Sequence, residues 1–502
     1  MGVYLALAPM LVIALGGCGL MLAEAYAHYR PDTGDGPSSE LAMPTAVCLF
    51  AAALVAAGVW MKGPESIEGY ASVAPWLLLD RFTLFFTVIV CLGGGLAALL
   101  AGGYLPEHGL DRGEFYPLLI FSTLGCVILA AAGDLLSLFL GLETMSLGVY
   151  ALTGFRRGSS RSAEAALKYF LLGSFAAALL LYGGALVYGA TGHTDLVGIG
   201  KVLAEGGKLP WPMLIFAFAL ILVGLAFKVS AVPFHMWAPD AYEGAPTPAM
   251  SFMAVAVKSA GFATMLRVLL IAFGDARFGS WSSGWPPILA FLAILTMTVA
   301  NLIAGRQESV KRMLAYSSIA HAGYVLIGVV TTMKVGAEGQ ASVMFYLLAY
   351  TASTAGAIGA LVMMGHKGAE AVSYEDIAGI GRRNPAAALA MSFFLLSLAG
   401  VPPTAGFFAK LYVFRAALGS GFYWLAIFGL LNSVIGGYYY LRVLVYMYMR
   451  EPAPGAPMAV PMKSGMVAFA LLLSAALVFV LGIMPGSSLA LAIQAATRGS
   501  GG

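Results

Sequence analysis

The chain has 502 residues, of which 60% are hydrophobic and only 10% charged, and its mean hydropathy is +0.88. Soluble domains carry about 25% charge, so a soluble globular protein is excluded, and a net charge of +3 is too small to point to nucleic acid. The short alternating strands of a membrane β-barrel are absent, which leaves an all-α polytopic membrane protein.

Cys18, Cys48, Cys91 and Cys126 sit singly in apolar runs, with no CxxC pair and no zinc or iron–sulfur spacing. They read as small hydrophobes. The six histidines, His28, His108, His193, His235, His321 and His366, are scattered, and no GxGxxG loop occurs. The expectation is no redox centre, cofactor or metal in this chain. The N-terminal run MGVYLALAPMLVIALGGCGL lacks the positive flank of a signal peptide and reads as a retained first helix.

About 14 transmembrane helices are expected from apolar runs long enough to cross a bilayer. In chain order they cover 3–23, 44–61, 76–102, 115–132, 135–155, 164–190, a seventh from Trp211 to a break before Pro233, then 248–272, 285–304, 310–332, 341–364, 385–418, 422–448 and 465–483. The twelfth is interrupted at Pro402–Pro403, because proline lacks a backbone donor and clashes with the preceding turn. The tail TRGSGG reads as disordered. Loops after odd-numbered spans hold Arg30, Arg112, Arg156, Arg157, Arg161, Arg306, Lys311, Arg312, Lys367, Arg382, Arg383, Arg450 and Lys463. Loops after even-numbered spans hold only Lys62, Lys201, Lys208, Arg277 and Lys334. That bias puts the odd-numbered loops in the cytoplasm and both termini on the outer, periplasmic side of a bacterial inner membrane.

The two broken helices lie five spans apart, and five is odd. Two five-helix units, 115–272 and 285–449, would therefore face opposite ways, the inverted-repeat plan of many transporters. An N-terminal three-helix segment (1–114), a last transmembrane helix (465–483) and a tail (484–502) complete the division. Lys228 precedes its proline whereas Lys410 follows Pro402–Pro403, so the match of the halves is imperfect.

Four ionisable residues sit well inside spans: Glu143, Lys228, Lys258 and Lys410, with His321 added in the tenth. An intramembrane charge costs about 2.5 to 3.5 kcal/mol, so four cost on the order of 10 kcal/mol, comparable to the net stability of a typical domain. Pairing, hydration or neutralisation must offset that. A plain helix–helix ion pair explains one glutamate and one lysine, but three lysines facing one glutamate beside helix breaks suit a proton relay better. At an effective dielectric of about 20, a Glu–Lys contact at about 4 Å is worth about 4 kcal/mol. Moving a charge against about 150 mV requires roughly 3.5 kcal/mol, so making and breaking a Glu143–Lys228 contact could load and release a proton. Lys168, beside Glu164, reads as a snorkelling anchor or an access residue, and Asp134 as a helix cap. His235 lies in the first break, either holding the turn or carrying protons. His321 is either a relay group or a satisfied core imidazole. Tyr438, Tyr439 and Tyr440 read as packing or an interface belt.

The segment FKVSAVPFHMWAPDAYEGAPTPAM, together with AGFFAKLYVF, resembles the proton-pumping membrane subunits of NADH-quinone oxidoreductase, complex I, and their relatives in cation/proton antiporters. The resemblance covers nearly the whole chain. Lys410 stands where one branch of that family has glutamate, and no long lateral helix follows the fourteenth span. The resemblance implies that Glu143, Lys228, Lys258 and Lys410 are the family's relay carboxylate and lysines, with His321 near the link between two half-channels. It also implies partner subunits that hold NADH, FMN, iron–sulfur clusters and quinone. The expected function is proton export coupled to electron transfer in those partners. A subunit of a cation/proton antiporter complex without electron transfer is the alternative, and a scaffold with structural ion pairs is a third.

Overall fold

The computed structural model describes residues 2–29, 38–64, 73–365, 370–452 and 464–498. Arg30, Lys367 and Lys463, which entered the charge bias, lie outside these residues, as do His366 and residues 499–502. Among the described residues, twelve helices are long and apolar enough to cross a membrane. Phe115–Ala131 and the pair Pro385–Ala399 and Ala405–Gly419 supply the fourth and twelfth expected spans.

The spans are Ala8–Tyr29, Ala42–Lys62, Arg81–Glu107, Phe115–Ala131, Leu135–Thr153, Ser160–Thr191, Trp211–Lys228 and Thr247–Ala272 in the first part of the chain. Trp285–Ala304, Val310–Val335, Ala337–Met364, the broken twelfth, Tyr423–Met449 and Gly465–Ile483 follow. The third, eighth, tenth and eleventh are the most deeply buried and form the centre. Helix starts use side-chain caps: Asp80 accepts from Thr83 N, Asp134 from Leu136 N, and Ser309 from Arg312 N. The fourth and fifth spans meet backbone to backbone at Gly125 and Gly141, where a Cβ would stand 2.3 Å from Met145 N and 2.8 Å from Leu129 N.

Two expectations are corrected, and one element is added. The seventh span ends at Lys228, not just before Pro233, because Ser230 takes a left-handed conformation (φ 61°) and the last amides fold back onto Leu225, Phe227 and Ala226 carbonyls. The segment after 484 is not a plain tail: Pro485–Arg498 is a helix. A short helix, Leu196–Glu205, capped by Asp195, lies between the sixth and seventh spans.

Candidate functional site

Lys228 is the last residue of its helix, so its ammonium lies at the negative end of the helix dipole. The break that follows is held by Trp237, whose indole donates to Phe227 O at 3.0 Å, and by Thr296, which accepts from Val232 N at 3.0 Å. Lys228 is buried and donates to Ser146 Oγ at 2.9 Å. Ser146 is one turn beyond Glu143 on the fifth span. The Glu143–Lys228 contact, which the sequence left open, is not an ion pair here: among the described residues Glu143 has no ion-pair partner within 4.0 Å. Glu143 is half-buried and shares a stripe with Leu136, Leu140 and Leu147, all exposed, so it faces out of the chain. A small crevice lined by Gly173, Ala176, Ala177 and Gly224 reaches Lys228 from the sixth span.

Lys258 follows a π-helical turn, Met253–Val257, in the eighth span. It is buried, and donates to Ser318 O at 2.6 Å and to the Ser318 hydroxyl. Gly261, one turn beyond Lys258, leaves room for Lys228: a Cβ there would stand 3.3 Å from Lys228 Cγ. Ser318 is in turn one helical turn before His321 on the tenth span. His321 is buried, with Nδ1 2.7 Å from Tyr346 Oη and Nε2 3.0 Å from Tyr440 Oη. Tyr440 reaches Ser317 Oγ at 2.5 Å.

Lys410 lies on the second half of the twelfth span, and its ammonium folds back to Ala399 O at 2.8 Å. Ala399 ends the first half, which stops at Gly400 with φ 90°. Both broken helices thus set an ammonium at the C-terminal end of a half-helix, although the lysines sit on opposite sides of their prolines. Lys410 also donates to Ser433 Oγ at 2.7 Å and stands 5.2 Å over the Tyr324 ring, one turn from His321. Tyr324 belongs to a neutral network in which Asn301 Nδ2 donates to Tyr324 Oη and Tyr439 Oη donates to Asn301 Oδ1. Lys258, His321 and Lys410 are thereby joined by short steps through neutral hydroxyls and rings, while Lys228 packs by its stem against the Lys258 helix at Gly261, with Glu143 at the outward edge.

Two clusters of charged groups outside this line lie at the end of the bundle that carries the basic loops. Lys168 contacts Glu164 at 2.7 Å and Asp240 at 3.0 Å, and Arg312 holds Asp240 and Glu243 at 2.9 and 2.8 Å. Burial acts against the Asp240 carboxylate, but hydrogen bonds from Lys168 and Arg312 hold it below its ordinary range. His235 is partly buried in the first break and meets none of the three lysines among the contacts of the described residues. A second cluster surrounds Glu370, which accepts from Tyr104, from Thr247 Oγ1 at 2.6 Å and from Lys311 Nζ at 3.1 Å, with Arg156 at 3.6 Å. Burial alone would raise the Glu370 carboxyl, yet these cations and donors hold it at about 2.

Sequence reasoning missed several of these groups. Tyr439 and Tyr440 are not packing alone, because both hydroxyls are buried and bonded within the polar line. Arg267, inside the eighth span, is buried against Asp80 at 2.6 Å and also donates to Ala130 O, Leu78 O and Thr83 Oγ1. Its signal was visible, since an arginine within an apolar run demands partners. Glu370 carried none, because it lies in a polar connection that reads as solvated. Among the described residues no group of three His, Cys, Asp or Glu side chains is arranged to hold a metal ion.

Residues 132–436 match the family described as NADH:quinone oxidoreductase/Mrp antiporter, TM. The chain is 68% identical over 501 residues to NADH-quinone oxidoreductase subunit N 1 of Sorangium cellulosum (strain So ce56), covering 99% of each chain. It is similar to a chain of respiratory complex I from Thermus thermophilus, at 34% identity and a TM-score of 0.77, over 97% of this chain and 99% of that one. A chain of the Mrp complex from Dietzia sp. DQ12-45-1b shares the fold at a TM-score of 0.83 over 98% of this chain and 97% of that one, with 22% identity.

Proposed function

The chain belongs to the NADH:quinone oxidoreductase/Mrp antiporter transmembrane family, and on that premise we propose that it moves protons across a bacterial membrane as a subunit of an NADH-quinone oxidoreductase. Electron transfer from NADH to quinone takes place in partner subunits that hold FMN and iron–sulfur clusters. Protons enter from the cytoplasm near the fifth and seventh spans, pass Lys228, Lys258 and His321, and leave through Lys410. The basic odd-numbered loops support a cytoplasmic face for that end and outward termini. Two oppositely facing five-helix units, 115–272 and 285–449, supply the two half-channels.

The observation that carries the reading is the buried line itself: three ammonium groups and an imidazole, each bonded to neutral groups and, among the described residues, none locked to a carboxylate. An ammonium held by a hydroxyl can lose its proton, because the hydroxyl donates to the neutral amine as readily as it accepts from the cation. The outward stripe of Glu143 supports a neighbouring subunit that covers it, since a carboxylate facing lipid would cost about 2.5 to 3.5 kcal/mol. The shared fold with the Mrp chain does not separate this reading from a cation/proton antiporter. The 68% identity to a subunit of an NADH-quinone oxidoreductase favours the first. The test is Lys410→Met in the assembled complex in sealed vesicles. NADH oxidation and subunit content should persist while protons moved per NADH fall, and a wild-type ratio would exclude the route. Purification with flavin and iron–sulfur absorbance separates the oxidoreductase from the antiporter.

A further inference from the structure

We propose that a second proton inlet opens around Tyr104, Lys311 and Glu370 and runs between the eighth, tenth and eleventh spans to Lys258, reloading the second half of the relay without passing Lys228. The inlet rests on the relay reading above.

Its mouth is a small crevice lined by Tyr104, His108, Thr247, Lys311, Leu361 and Glu370 among others, with room for about one water molecule. The His108 ring stacks on Tyr104 at 4.0 Å, its Nδ1 lies 2.9 Å from Tyr104 O, and its Nε2 is buried without a partner among the described residues. Three helices run from this crevice to the Lys258–Ser318–His321 group, and each carries polar residues at helical spacing along the way. The eighth span has Thr247 and Ser251 before Lys258, the tenth has Lys311 and Ser318, and the eleventh has Tyr350 and Thr354 before Leu361. Tyr242 enters from the short helix Trp237–Gly244.

The decisive feature is how these hydroxyls are satisfied. Buried Ser259 and Thr264, farther along the eighth span, bond their own helix at Val255 O (2.7 Å) and Ala260 O (2.9 Å), as isolated membrane hydroxyls do. Ser251, Tyr242, Tyr350 and Thr354 do not: all are buried, and among the described residues none makes a hydrogen bond of full geometry, their neighbouring hydroxyls standing just too far or misaligned. Tyr242 and Tyr350 both approach Ser318, the hydroxyl that holds Lys258, and Tyr350 approaches Thr354 and sets its ring 5.0 Å from that of His321. One orphaned hydroxyl is an isolated cost, but four gathered between a charged mouth and a buried lysine are what a file of water satisfies. Along such a file each oxygen accepts a proton from the mouth side and donates one toward Lys258. The net result is one proton taken from solvent and one placed on the neutral Lys258 amine, with Glu370 left ionised between Lys311 and Arg156.

The experiment is X-ray hydroxyl-radical footprinting of the assembled complex, in which side chains beside bound water are modified fastest. Tyr242 and Tyr350 should be modified several-fold faster than Tyr439, which is equally buried but donates to Asn301. The double variant Ser251→Ala with Thr354→Val should slow that modification and lower protons moved per NADH, with assembly and NADH oxidation at wild-type levels. Modification of Tyr242 and Tyr350 no faster than Tyr439, or an unchanged proton ratio in the double variant, overturns the inlet. Lys410→Met separates the two ideas. A wild-type ratio there overturns the relay itself, and so the inlet that feeds it. Loss there alongside a wild-type ratio in the double variant overturns the inlet alone.

Discussion

Lys228, Lys258 and Lys410 each donate to a serine hydroxyl, and the three serines come from the fifth, tenth and thirteenth spans. The lysines were legible as charges in apolar runs. Ser146, Ser318 and Ser433 were not, because a serine inside a membrane helix ordinarily satisfies itself on its own backbone and leaves no mark in the sequence. The arrangement predicts opposite outcomes at one position. Ser146→Ala should slow proton transport but keep it. Ser146→Asp should abolish the share that passes Lys228, since a carboxylate in contact would hold the ammonium charged. Protons moved per NADH, measured on assembled complexes, distinguish the two. Glu370 predicts a pH dependence. Its carboxyl is held at about 2 against an ordinary 4.5, so its stabilisation is complete above about pH 4.5 and is lost as pH falls toward 2. Glu370→Gln should remove on the order of 3 kcal/mol at neutral pH and flatten acid unfolding across that window, followed by loss of helical circular dichroism.

At the scale of the element, span length and apolar content were enough to find the twelve long apolar helices of the described residues and the shorter ones beside them, because a bilayer sets a minimum length that sequence displays directly. Helix ends were harder. Val229–Val232 is apolar apart from Ser230, so nothing before Pro233 announces that the seventh helix has already turned at a left-handed serine. The helices Leu196–Glu205 and Pro485–Arg498 are too short to stand out from loops by hydropathy. Gly400 shows what the second break requires. Its φ of 90° disfavours any side chain, and a Cβ would stand 3.1 Å from Lys410 Cδ. Gly400→Ala should destabilise by about 1 to 2 kcal/mol and displace Lys410 from Ala399 O. Thermal unfolding of the purified complex, read beside the proton ratio, checks both effects.

For the whole molecule, the ion pair of Arg267 and Asp80 joins the start of the third span to the eighth, with the guanidinium buried. Removing one partner of such a pair leaves an uncompensated charge, so Asp80→Ala should cost about 3 to 5 kcal/mol and appear as poor assembly rather than altered transport. Subunit content after native electrophoresis decides it. The charge of Arg267 was open to view, but its partner lies 187 residues away in sequence, and no local pattern links the two.

The Glu370 carboxylate has a consequence for how this chain can be recombined. It belongs to the connection between the eleventh and twelfth spans, yet its holders come from the third span, the turn after the fifth, the start of the eighth and the start of the tenth. A chimera cut between the two halves inherits the acid from one parent and Tyr104, Arg156 and Thr247 from the other. Such hybrids will fold only where both parents keep the same lock and key at that end, however well their membrane-crossing segments agree.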